Sequence, residues 1–147
     1  MTDQFLKRFL NMAIAKTGAE RALSVNQQLE VVDRYHVDES LLSDTVFWPL
    51  TSKLLQQAHD TGEAILTNNM IQDPSQAPTT NTNFSALRVI VVLPIPDHGI
   101  IYLDQKIKTG VFTREVLRKL TATLAQVSEA EQNDISEEAL RDLYEHA

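Results

Sequence analysis

The sequence predicts an α+β domain, a mostly antiparallel central sheet with helices packed on it. Three observations carry this. Apolar residues recur at helical spacing near both ends of the chain, and short extended runs joined by turn-like strings lie between them. The 147 residues also fit one domain of ordinary globular composition, 43% hydrophobic and 22% charged. A chain of this size buries roughly two-thirds of the surface its unfolded form exposes, so it needs no staple.

Within residues 2–16, Phe5, Leu6, Phe9, Leu10, Ala13 and Ile14 share one helical face. Lys16 suits the negative end of that helix, and Gly18 suits a left-handed stop just past it. Residues 22–25 and 29–36 follow as extended runs around Asn26-Gln27-Gln28, a hairpin connection. In the second run Leu29, Val31, Asp33 and Tyr35 take one face, and the mostly polar Glu30, Val32, Arg34 and His36 the other. Residues 37–48 have no clear period and read as loop with a short turn of helix.

A second helix starts near Pro49, whose missing N–H suits a first helical position. Leu50, Leu54, Leu55 and Ala58 form its buried stripe, and Gly62 ends it. A strand over 63–67 leads into residues 68–86, a 19-residue stretch with four asparagines, Pro74, Pro78 and little apolar periodicity. Structureless loops this long are uncommon in compact domains and are usually functional or disordered. Residues 87–93 are apolar apart from Arg88, the pattern of a central strand covered on both faces. Pro94 and Pro96 end it, Asp97-His98-Gly99 turns the chain, and 100–103 returns. Thr113 caps a helix whose Leu117, Leu120, Leu124 and Val127 form a seam suited to another helix. Ser136 with Glu137 and Glu138 starts a last short helix buried through Ala139, Leu140 and Leu143.

The net charge of −7 is not spread evenly. Residues 129–147 hold seven acids against one base and account for −6, so they read as an acidic tail following a near-neutral domain over 1–128. No basic stripe suited to phosphates is visible, so no nucleic-acid partner is expected. No apolar run approaches the roughly 20 residues that cross a bilayer, so no membrane is expected either, and cytoplasm is the default location. The absence of cysteine removes disulfides, zinc-thiolate sites and thiol nucleophiles together. The four histidines, His36, His59, His98 and His146, lack metal-ligand spacing. With no nucleophile–base pair, Gly-rich phosphate loop or carboxylate dyad, the chain reads as no enzyme, and no cofactor or metal is assigned.

Several strings, taken in order, resemble the GAF family of small-molecule sensor domains over roughly residues 3–128. They are Thr17-Gly18-Ala19-Glu20-Arg21, Thr61-Gly62-Glu63-Ala64-Ile65-Leu66, Asp73-Pro74, the core strand 87–94, Gly99-Ile100-Ile101-Tyr102-Leu103-Asp104 and Val111-Phe112-Thr113-Arg114-Glu115. The resemblance implies terminal helices packed together on one sheet face, and a pocket on the other roofed by short helices and the long loop. The related PAS-type sensor fold is the nearest alternative. Bilin-binding members of the family attach their chromophore through cysteine, and methionine-sulfoxide-reducing members need thiols; this chain has neither. Cyclic-nucleotide members carry Asn-Lys and then a Phe followed by Asp-Glu, where this chain has Gln105-Lys106, Phe112 and Val116-Leu117.

Five residues are candidates for the implied pocket. Arg88 is the one charge in the apolar strand and could hold a carboxylate or phosphate bidentately, its plain role being that of an internally paired arginine. Phe84 and Tyr102 would offer aromatic faces, or serve as ordinary core. Asp73 and Asn69, with Asn68, would supply polar contacts, or simply shape turns. Trp48 reads as packing at the entry of the second helix. The expected function is a non-catalytic regulatory domain that binds an unidentified small molecule under residues 68–86. It would signal through a homodimer of terminal helices, using Phe5, Phe9 and Met12 beside the leucine seam, to an output domain not contained in these residues. The alternative is a ligand-free module for dimerisation or partner docking.

Overall fold

The computed structural model describes residues 2–43, 47–67, 88–106, 112–132, 136, 138–139 and 141–142. Its elements run α1 (Thr2–Thr17), β1 (Arg21–Asn26), β2 (Val31–Tyr35), α2 (Glu39–Leu42), α3 (Phe47–Thr61), β3 (Ile65–Thr67), β4 (Arg88–Ile95), β5 (Gly99–Lys106) and α4 (Arg114–Gln132). The strands form one sheet in the order β2-β1-β5-β4-β3, and every neighbouring pair is antiparallel. The fold class is therefore α+β, as the sequence predicts.

Side chains alternate across a strand, so register assigns each residue a face. Ala22, Val89, Val91, Leu93, Ile101 and Leu103 face α1 and α4, which cover them with Phe5, Leu6, Phe9, Leu10, Leu120, Leu124 and Val127. Leu23, Val25, Ile90, Val92, Ile100 and Tyr102 face the other way, against Leu54, Leu55 and Ala58 of α3. The two terminal helices thus share one face and α3 takes the opposite one. Phe5, Phe9, Met12, Leu120, Leu124 and Val127, expected at a dimer interface, are buried inside the protomer.

Local chemistry explains most element ends. Gly18 closes α1 at φ 70°, its N–H donating to the Ile14 carbonyl at 2.8 Å. Thr113 caps α4, its hydroxyl accepting the Val116 N–H at 3.2 Å. Asp38 does the same for the short α2, accepting the Leu41 N–H at 3.1 Å. Gly99 is required by contact as well as by conformation. At φ 154° it lies against β1 so closely that a Cβ would sit 1.9 Å from the Val25 carbonyl oxygen.

Other expectations shift. β4 continues through Pro94 to Ile95, and β5 runs on to Lys106 instead of stopping at 103. α3 begins at Phe47, with Pro49 still within its first turn, where the missing N–H costs nothing. In β2 the expected alternation breaks, because a bulge shifts the register between Ser24 and Val25. Asp33 lies opposite Ser24, but Val31 lies opposite Val25, so Val31 packs in the α3-side core and Val32 in the α1-side core. α4 carries through position 128 to Gln132, with Ala130 buried, so the expected domain boundary falls inside a helix. Ser136 accepts the Ala139 N–H at 3.2 Å, as a helix start should, but Ala139 is exposed rather than buried. Leu140 and Leu143 lie outside the described residues.

Candidate functional site

The α3 face of the sheet changes character along its length. At one end, toward Gly99, it is apolar; at the other it carries charge, because Arg21 lies directly opposite Asp104 in register and Arg88 directly opposite Lys106. Asp104 shares a face with Tyr102, two residues before it, and its side chain has no exposed surface. An acid in that position needs full compensation, since an unpaired buried carboxylate costs several kcal/mol even after relaxation, by an estimate of about that order.

Arg21 supplies it. Its Nε donates to Asp104 Oδ1 at 2.9 Å and to Oδ2 at 3.1 Å, and Nη2 donates to Oδ2 at 2.7 Å. The Tyr102 hydroxyl donates to the same Oδ2 at 2.6 Å. Burial works against the Arg21 cation, but the hydrogen bonds and charge of Asp104 outweigh it, and the guanidinium is held more firmly protonated than usual. Tyr102 is fully buried, and that burial, followed by the charge of Asp104 and the bond to it, raises its phenol well above the ordinary range. Thr51 of α3, also fully buried, sets its hydroxyl beside this phenol.

The cluster is a fixed polar platform. Its carboxylate is engaged by the Arg21 guanidinium, and its phenol is a weaker acid than in water. Beside it, the Glu20 carboxylate accepts the Lys106 backbone N–H and ties the end of β5 to the start of β1. At the far end of the same face a cleft of about 260 Å³ opens between the end of α3 and the β4–β5 turn, lined by Asn26, His59, Pro94 and Ile100 among others. It is smaller than the roughly 300–1,000 Å³ typical of small-molecule sites. The Asn26 side-chain Oδ1 there accepts the Gln28 and Glu30 backbone N–H groups.

Of the five residues predicted for a pocket, Tyr102 and Arg88 fall on this face, four register positions apart across β5 and β4. Tyr102 is packed against α3 as core, with its hydroxyl committed to Asp104. Asn69, Asp73 and Phe84, with the rest of 68–86, lie outside the described residues. Trp48 packs against the α3-side core, as expected of it. Two of the histidines have structural surroundings: His98 stacks on Phe5 with ring centroids 4.2 Å apart, and His59 approaches Asp60 at 3.3 Å. No cluster of three or more potential metal ligands occurs among the described residues. No helix there is long and apolar enough to cross a membrane.

Sequence reasoning missed Arg21 and Asp104 as a pair, which stand 83 residues apart. The usable signal was a lone acid in an apolar run, spaced two residues from an aromatic and hence on its face. Compared with protein-family models, curated proteins and solved structures, the chain matches none.

Proposed function

We propose that this chain is a non-catalytic, GAF-type sensor domain that binds a small molecule on the α3 face of its sheet, at the end marked by Tyr102, Asp104 and Arg21. The observation that supports this most is the division of the sheet. One face is closed by α1 and α4 with apolar side chains, whereas the other keeps a buried polar cluster at one end, with the buried Thr51 hydroxyl beside it. Buried polar groups are costly, and a few convergent ones beside apolar surface are the ordinary makeup of a ligand site. Ligand bound on the α3 face would act on α1 and α4 through the shared sheet, and only to the extent that it binds two states unequally.

The decisive experiment is mass spectrometry of freshly purified protein under native and then denaturing conditions. A mass increment lost on denaturation supports the sensor reading and weighs the ligand.

One observation favours a second reading, a ligand-free docking or dimerisation module. Leu54, Leu55 and Ala58 of α3 lie directly on the middle of the sheet and fill that region with the protein's own side chains. A bare mass would favour this reading. A homodimer would have to use the outward faces of α1 and α4, since their apolar stripes are already covered.

A further inference from the structure

We propose that the groove between α4 and the β4–β5 turn binds a small organic cation, an amine or guanidinium on an apolar body, with Asp97 as its counter-ion. The groove lies on the α1/α4 side of the sheet, so the inference goes beyond the sensor reading and does not rest on it.

The groove follows from how the turn meets the helix. Thr121, Leu124, Ala125 and Ser128 recur at three- and four-residue steps and form one stripe along α4. Pro96, Asp97 and His98 stand opposite them. About 450 Å³ lies between, within the roughly 300–1,000 Å³ of small-molecule sites. Leu124 is buried, and with Ala125 and Pro96 it gives the groove an apolar lining. The turn is firmly held. The His98 ring lies flat on Phe5 of α1, at an interplanar angle of 6°, and its backbone N–H donates to the Ile95 carbonyl at 3.0 Å.

Charge decides the occupant. Asp97 is exposed, and its carboxylate has no hydrogen-bond or ion-pair partner among the described residues. Together with Pro96 it lines both this groove and the 260 Å³ cleft on the α3 side, and no lysine or arginine lines either. Bases on the packed helices do not neutralise it. On α4, Arg118 meets Glu115 at 3.6 Å, Lys119 lies off the stripe, and Arg114 stands about two turns before Thr121. On α1, Arg8 has another partner and Lys7 is exposed. Glu129, next after Ser128, adds a second exposed acid. The Thr121 hydroxyl donates to the Leu117 carbonyl at 2.8 Å, which leaves its oxygen as an acceptor. An ammonium or guanidinium carries donors only and so suits a site of acceptors.

The test titrates benzylamine into the whole chain at constant ionic strength and follows backbone amide shifts by NMR. Benzyl alcohol and benzoate serve as neutral and anionic probes of the same ring. Benzylamine should give saturable shifts centred on residues 97–99 and 121–128. It should bind about fivefold more tightly than either control, the upper end for an exposed ion pair. Asp97→Asn keeps a side chain that accepts the left-handed φ of 68°, and should bring benzylamine down to the level of benzyl alcohol. Ala125→Leu, at an exposed helical position where leucine costs little, fills the groove and should remove these shifts for every probe. No saturable shift, equal binding of the three probes, or an unchanged affinity in Asp97→Asn overturns the proposal. Shifts confined to Asn26, His59 and Ile100, on the α3 side of the turn, overturn it as well.

Discussion

Replacing Asp104 by asparagine keeps the shape of the side chain but removes the charge that Arg21 is built to meet. The wild-type carboxylate has no exposed surface and receives both Nε and Nη2 of the guanidinium, whereas Arg21 is 14% exposed. Two charge-assisted hydrogen bonds, at about 1.5–3 kcal/mol each, set a loss of roughly 3–6 kcal/mol. Breaking a buried ion pair by removing one partner independently gives about 3–5 kcal/mol. Arg21 keeps some contact with water and an amide oxygen still accepts one bond, so the lower end, about 3 kcal/mol, is expected. That is a large share of the roughly 5–15 kcal/mol that stabilises a domain. Urea unfolding should show the midpoint falling with an unchanged m-value. The double variant Arg21→Met with Asp104→Leu, which removes both charges, should recover most of the loss. A fall of less than about 1 kcal/mol for Asp104→Asn would show that the pair is solvated and that the polar platform is not a buried one.

The remaining predictions follow from neighbouring features. Because the Tyr102 phenol is raised in the folded state, its contribution to stability is present below pH of about 10, the ordinary phenol value, and is lost as pH rises through the folded value. Tyr102→Phe should therefore flatten the alkaline limb of the stability profile relative to wild type, at a cost near neutrality of about 1.5–3 kcal/mol for the hydrogen bond to the charged Asp104. Gly99→Ala should cost at least about 2 kcal/mol by chemical denaturation, since strain at a glycine-only conformation adds to a backbone collision with Val25. Thr113→Ala removes the cap of α4 and should lower stability by about 1 kcal/mol in the same assay, an unchanged midpoint counting against the cap.

The helices were the most legible part of the chain, because their signals are local. Gly18 and Thr113 act within four residues of where they stand, and the apolar stripe of α1 needs only the helical period to be seen. The sheet was legible as a set of strands but not in its details. Pro94 lacks a donor and reads as a stop, yet β4 accommodates it and continues. The bulge in β2 depends on how β1 and β2 pair, so no pattern within β2 alone shows that Asp33 leaves the face that Val31 takes. The same limit hid the site. Tyr102 and Arg88 stand out as an aromatic and a charge among apolar neighbours, but the partner that gives Asp104 its meaning lies on β1, and only register brings Arg21 to it.

An open sheet always has an outermost strand, and here β2 is one. Two copies of β2 could join about a two-fold axis normal to the sheet only with residues of like facing opposed. Because the bulge puts Val31 and Asp33 on opposite faces, an antiparallel register with like facing pairs Asp33 with Tyr35 and sets Arg34 against its own copy. The bulge adds a local twist that a flat partner strand cannot follow. Antiparallel joining of two copies through β2 in that register is thus opposed by like charge at its centre.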